Sequence, residues 1–393
     1  ILDDLPRRDA RLLFIHRQLS RLKDQLEAMG SSLWVYEGRP LEVWRQLIQQ
    51  EEVEAVFANH DYEPYARSRD AAVEALLKES GIAFHTFKDQ VMFEKREILT
   101  QQGKPYTVFT PYSRQWKARL KESGIPAYDT EPYLQHFVKG EAPPLPTPEA
   151  LGFEEVEVHA PAARVDEEVL RVYDQKRNFP ALNATSRLSV HLRFGTLSIR
   201  QLVQQATRLN ETYLNELIWR EFYMQILWNF PHVVHGPFKK EYAAIAWEDD
   251  EAAFRRWCEG KTGFPIVDAG MRQLNATGYM HNRVRMITAS FLVKDLLINW
   301  QWGEAYFAEK LLDYELSSNN GGWQWAAGCG TDAAPYFRIF NPQSQQKKFD
   351  PDCAYIRKWV PEYGTPAYPA PMVDHRQARQ QCLQLYRQAL NRR

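Results

Sequence analysis

An N-terminal doubly wound parallel α/β domain followed by a C-terminal all-helical domain is the fold class that three observations predict. Strand and helix patterns alternate from Pro6 to Thr86. The stretch Lys139–Pro161 (KGEAPPLPTPEALGFEEVEVHAP) is rich in Pro, Gly and Glu, the composition of a semi-extended linker. Beyond Val165 strand signals nearly vanish and helical periodicity dominates. Boundaries follow at 1–125 for the α/β domain, 126–164 for the linker and 165–393 for the helical domain.

Leu12, Leu13, Ile15, Leu19, Leu22 and Leu26 fall near helical spacing, which predicts a helix over Pro6–Gly30. A strand (Ser32–Tyr36), a helix (Pro40–Gln50), a strand (Ala55–Asn59), a helix (Ala66–Ser80) and a short strand (Ala83–Thr86) follow. No GxGxxG follows any of these strands, so nothing marks a nicotinamide-binding domain. The Arg- and Gln-rich stretch from His375 to Arg393 reads as a solvated terminal helix.

Composition bounds the function. Hydrophobic content of 44% and charged content of 25% are those of a globular protein. A net charge of −1 gives no bulk basicity, so any nucleic-acid face must be a local patch. Cys258, Cys329, Cys353 and Cys382 show no metal-ligand spacing and read as reduced thiols; no metal site is expected. No apolar run reaches membrane-spanning length and no signal peptide is visible. A cytoplasmic protein, monomeric and independent of any membrane or obligate protein partner, is expected.

The segment from Asp313 to Pro342, DYELSSNNGGWQWAAGCGTDAAPYFRIFNP, concentrates amides, carboxylates, glycines and aromatics. Asn319, Asn320, Gly321 and Gly322 would break a helix or let backbone approach a ligand closely. Trp323 and Trp325 add two flat apolar faces, the makings of a pocket for a planar, partly polar ring system. Thr185-Ser186-Arg187-Leu188-Ser189 offers hydroxyls and fresh N–H groups where a helix begins, either an anion site or a simple helix cap. Glu216, Trp219 and Arg220 share one helical face, as a ligand-facing set or as a salt bridge against an indole. Asn282, Arg285 and Met286 repeat that spacing.

With those motifs the sequence resembles the photolyase/cryptochrome family and, within it, the bacterial class I cyclobutane pyrimidine dimer photolyases. The resemblance extends from ILDDLPRRDARLLFIH to YIRKWVPEY. It implies noncovalent FAD in the helical domain and light-driven repair of pyrimidine dimers in DNA, a lyase reaction. Excited reduced flavin would pass an electron to a flipped-out dimer. Cofactor contacts carried over by the resemblance are Tyr173, Thr185, Ser186, Arg187, Leu188, Ser189, Tyr213, Arg220, Arg285, Asp313 and Asn319. Tyr213 stands where the family commonly has Trp. Arg285 and Asp313 would pair beside the isoalloxazine ring, and Asn319 would face flavin N5. Glu216, Trp219, Asn282, Arg283, Met286 and Trp325 would meet the dimer, with Glu216, Asn319, Arg285 and Asp313 as the catalytic set. Trp323, Trp300 and Trp247 match the family's electron-transfer chain, although spacing alone would favour core packing and only the motif match reverses that. Arg283, Arg338, Lys347 and Lys348 are candidates for phosphate contacts.

Departures within the family sharpen the expectation. A (6-4) photolyase would carry His where Asn282 and Met286 stand, and plant-type cryptochromes carry Asp and Tyr where Asn319 and Trp325 stand. The alternative reading is a cryptochrome-type blue-light photoreceptor. An antenna chromophore, folate or deazaflavin, stays open, with Asn59-His60-Asp61-Tyr62-Glu63 as the stretch that could touch it. The chain opens at Ile1 inside a family motif, so the first two strands and the helix between them are expected to be missing, leaving a gap in the sheet.

Overall fold

Helix caps and strand partners decide which of these patterns become elements. The computed structural model describes residues 2–391, so Ile1, Arg392 and Arg393 lie outside the description. The chain divides into two units. One takes the residues up to Met92 with Ser123–Ala163 and Ser189–Leu202; the other takes Phe93–Glu122, Arg164–Leu188 and the chain from Val203.

In the first unit the Asp9 carboxylate accepts from the Arg11 N–H at 2.8 Å and starts α1 (Ala10–Ala28). Proline in the first turn, where its missing N–H costs nothing, opens both α2 (Pro40–Gln50) and α3 (Pro64–Glu79). Strand β1 (Ala55–Asn59) pairs in parallel with β2 (Ala83–Phe87), from Ala55 opposite Ala83 to Asn59 opposite Phe87. Val56 buries one sheet face against Val73 and Leu77. The opposite face carries Phe57, 67% exposed, stacked on Phe87 with centroids 6.2 Å apart. The linker lies along α1: Lys23 Nζ donates to the Pro143 carbonyl at 3.1 Å, Ser31 Oγ to Val138 at 2.7 Å, and Phe153 packs on Leu12 and Leu13.

One expected strand does not form. Ser32–Tyr36 has the right residues but no ladder among the described residues. Alternation specifies a face, and a strand also needs a neighbour to take its N–H and C=O groups.

The second unit is helical. Its core gathers Trp257, Ile266, Val267, Met271, Leu292, Trp300, Phe307, Trp323 and Ile356, with Trp247 and Trp325 packed at its margin. Helix Leu316–Ala327 runs straight through Asn319, Asn320, Gly321 and Gly322, so of the two readings, break or close approach, the break is not the one realised. The glycines serve close packing instead. A Cβ on Gly321 would lie 2.1 Å from Tyr223 Cδ1, and one on Gly303 would lie 2.1 Å from Trp323 Cη2. Only bare backbone lets these helices meet, and that gain outweighs the low helix propensity of glycine.

The terminal helix His375–Leu390 is not simply solvated: Ala378, Cys382, Tyr386 and Ala389 are buried along one side. His375 Nδ1 meets the buried Asp295 carboxylate at 2.5 Å. Lys294, buried beside it, donates to the Ala327 carbonyl at 3.1 Å and sits 3.8 Å from the Tyr386 ring centroid.

Two outcomes test this packing. Gly321→Ala should lower stability by about 1–3 kcal/mol through overpacking against Tyr223, read as a fall in Tm. The hydrogen bond to Asp295 raises the His375 pKa above its ordinary value. A raised histidine pKa contributes stability that is full below the unfolded value, about 6.5, and is lost as pH rises through the folded value. Denaturant midpoints measured from pH 5.5 upward should show that loss in the wild type and lack it in His375→Gln.

Candidate functional site

Some candidate residues of the second unit meet around the short helix Tyr173–Lys176, whereas others lie apart in the core or on the surface. Tyr173 meets Tyr213 edge-to-face at 5.0 Å, and the Tyr213 hydroxyl is 2.9 Å from Ser186 Oγ. Burial pushes the Tyr213 phenol up to about 12, so it stays a neutral hydrogen-bonding group. Thr185 Oγ1 lies 3.3 Å from the hydroxyl of Tyr279. Leu188 is buried, whereas Arg187 is exposed with φ +54°. Ser189 opens the helix Ser189–Arg193, in the first unit.

Asn210 caps helix Glu211–Asn229, its side chain accepting from the Tyr213 N–H at 3.1 Å. One turn on, Glu216 accepts a hydrogen bond from Arg177, whose guanidinium lies 5.4 Å from the Tyr173 ring centroid. Burial works against the charge on Arg177, but Glu216 outweighs it and the pKa rises. Trp219 stacks on Phe109 with centroids 3.7 Å apart and planes 4° apart, so one indole face is already covered. Arg220 is half-buried on the same helix.

At the start of helix Asn282–Ser290, His281 Nδ1 accepts from the Arg283 N–H at 3.2 Å, which puts the neutral ring's proton on Nε2. Burial, followed by Arg283, Arg285 and Arg187, pulls the His281 pKa down to about 4. Asn282 is exposed. Arg283 donates to Asn178 Oδ1 at 2.7 Å, reaches Met286 Sδ at 3.6 Å and lies 4.5 Å from the Phe349 ring centroid. Arg285 holds Asp313 through Nη2 at 3.0 and 3.1 Å, and its Nε donates to the Met280 carbonyl at 2.8 Å. That leaves the guanidinium fixed and locally neutralised.

Helix Leu316–Ala327 carries the amides and indoles. Asn319 Nδ2 donates to the Glu304 carbonyl at 3.1 Å; Asn320 Nδ2 donates to Glu304 Oε1 at 2.9 Å. Burial pushes the Glu304 carboxyl up to about 7. Trp323 lies within the core, edge-on to Phe307 at 5.0 Å and to Trp257 at 6.1 Å. Trp300 is buried, and Trp247 is half-buried edge-on to Tyr386 at 6.0 Å. Trp325 is half-buried near Phe340. Tyr223, packed on Gly321, is 5.5 Å from Trp219 and so connects this helix to the network. Arg338, Lys347 and Lys348 are exposed.

Sequence reasoning missed four residues at these positions: Arg177, Asn178, Tyr279 and Glu304. Arg177-Asn178 belong to the RNFP stretch between two chosen motifs, and Tyr279 stands two residues before His281, so proximity was the only available signal. In the first unit, the polar groups after β1 pair locally: His60 with Thr86 Oγ1 at 2.8 Å, Asn59 with Asp89 at 3.2 Å and Glu63 with Arg193 at 3.0 Å.

Comparison with known proteins gives a consistent placement. Residues 213–366 match the family described as the FAD binding domain of DNA photolyase, and residues 2–132 match DNA photolyase. A deoxyribodipyrimidine photo-lyase of Halobacterium salinarum is 38% identical, over 96% of this chain and 88% of the relative. The enzyme of that name from Escherichia coli is 40% identical over 95% and 88%. Among solved structures, a class III photolyase from Agrobacterium tumefaciens is similar at TM-score 0.87, with 33% identity over 98% of this chain and 90% of that one. A Synechocystis cryptochrome follows at TM-score 0.81 and 25% identity, over 97% and 88%. Two family matches and relatives well above 30% identity across nearly the whole chain leave one assignment: the chain belongs to the DNA photolyase family.

Proposed function

We propose that this protein is a deoxyribodipyrimidine photo-lyase that repairs cyclobutane pyrimidine dimers in DNA, using light and FAD. The observation that carries the reading is the contact network joining Ser186, Tyr213, Tyr173, Arg177 and Glu216. It sets anion-binding hydroxyls and a lesion-facing carboxylate on one framework. One further feature supports FAD: the Asn215 Oδ1 atom, beside Glu216 in sequence, is buried without a protein partner and so keeps an unmet acceptor.

When bound and reduced, FAD supplies the photoexcited electron. The chain's residues bind, orient and shield. Thr185, Ser186 and Arg187 would hold the diphosphate, and Arg285, fixed and neutralised by Asp313, would stand beside the ring. Asn319 is anchored through its Nδ2 to the Glu304 carbonyl, which fixes the direction of its amide. A dimer must leave the duplex to reach such a site, at a cost of a few kcal/mol. Stacking on an aromatic recovers roughly 1–3 kcal/mol per base. Trp219, with one face on Phe109, offers its other face, and Trp325 is the second indole. Asn282 and Met286 flank the lesion, Arg283 meets phosphate, and Glu216 accepts a hydrogen bond from the flipped bases. Trp323, Trp300 and Trp247 are the oxidisable side chains that would serve electron transfer toward the bound cofactor.

The decisive experiment mixes reduced protein with an oligonucleotide carrying one thymine dimer. Conversion under blue light and none in darkness is expected; bound, photoreducible FAD without conversion would favour a photoreceptor. In the same assay Glu216→Ala should cut repair about tenfold or more, the scale of a charge-assisted hydrogen bond, while retaining FAD. Loss of FAD from that variant would make Glu216 a structural partner of Arg177 instead.

A further inference from the structure

We infer that Tyr279 is a positioning residue for the cofactor, its ring holding the Arg187 guanidinium ready for the diphosphate of a flavin dinucleotide. The inference rests on the FAD reading above and extends it to a side chain outside the TSRLS motif.

Arg187 is an exposed cation on left-handed backbone, φ +54°, and no carboxylate pairs with it among the described residues. Its guanidinium carbon lies 5.0 Å from the Tyr279 ring centroid. The same ring is 5.8 Å from the guanidinium carbon of Arg285. Two cations beside one ring repel, yet Asp313 neutralises Arg285 through two hydrogen bonds. Arg187 therefore keeps its full charge, placed by the ring and uncancelled by a counter-ion.

Tyr279 is itself firmly held. Gly278, at φ +67°, ends helix Pro265–Thr277, and its carbonyl accepts from the Leu312 N–H at 2.9 Å. The Tyr279 N–H donates to Thr277 Oγ1 at 3.2 Å. The far end of the side chain contacts Thr185 Oγ1 at 3.3 Å, so one residue touches two members of the anion-binding motif. A guanidinium is a planar fork that matches phosphate oxygens in pairs, and a platform that limits its motion reduces what ordering costs on binding. A diphosphate is the ligand chemistry that an uncompensated arginine beside a fixed hydroxyl would select.

The test is the rate of FAD release from the holoprotein, followed as recovery of flavin fluorescence on dilution. Tyr279→Leu should speed release about two- to five-fold, the scale of one exposed cation–π contact, and Arg187→Gln, which also removes the cation, by at least as much. The double variant should be no faster than Arg187→Gln alone, and Tyr279→Phe, which keeps the ring, should stay near wild type. Raising salt should shrink the difference between wild type and Arg187→Gln. Unchanged release in Arg187→Gln would overturn the inference whether or not Tyr279→Leu folds, and so would additive effects in the double variant. A wild-type protein that binds no FAD would instead remove the reading on which the inference stands.

Discussion

A buried carboxylate at the head of one helix is the constraint on which the rest of the second unit depends. Glu315 caps helix Leu316–Ala327 by accepting from the Ser317 and Ser318 N–H groups at 2.8 and 2.9 Å. It also accepts from both serine hydroxyls at 2.7 Å. A carboxylate out of water is costly unless its oxygens are occupied, and four donors occupy these. The cap sets where the helix begins. The register of Asn319, Gly321, Trp323 and Trp325 follows from it, and one residue of slip would turn each by about 100°.

Charge is arranged around that helix in small neutral sets. Arg285 is matched by Asp313 and Arg177 by Glu216, and His281 stays uncharged among three arginines. Arg283 is treated differently: a neutral amide, Asn178, and the Phe349 ring orient it without cancelling its charge. Burial, then Arg177 and Arg338, lowers its pKa, so an anion arriving there would relieve repulsion as well as form bonds. Local compensation explains how a chain of net charge −1 can present cationic groups to a polyanion.

Much of the architecture was legible. Alternating patterns gave α2 and β1 to the residue, because Pro40 and the turns around Ala55–Asn59 punctuate them clearly. Ser32–Tyr36 was misread because pairing is a property of two segments. Asn319–Gly322 left two readings open because glycine signals both a break and a close approach, and only the Tyr223 ring decides between them. Motif residues were legible as types at a spacing, whereas Arg177, Asn178, Tyr279 and Glu304 became visible only through their partners. No residue type announces that a neighbour's side chain needs holding.

The shared space between Gly303 and Trp323 couples two positions twenty residues apart. An added methyl at 303 would occupy the volume of the indole. The indole, edge-on to Phe307 and Trp257, has nowhere to retreat. Substitutions at the two sites are therefore epistatic. Alanine at 303 is excluded while Trp323 stands, and a smaller ring there would remove the nearer clash but leave Leu292 Cδ2, 2.6 Å from the added carbon, still to move. Conversely, shortening Trp323 opens a void against a backbone that has no side chain to fill it. A variant at 323 made to test the proposed electron-transfer role thus also loosens the core, and its phenotype combines both effects.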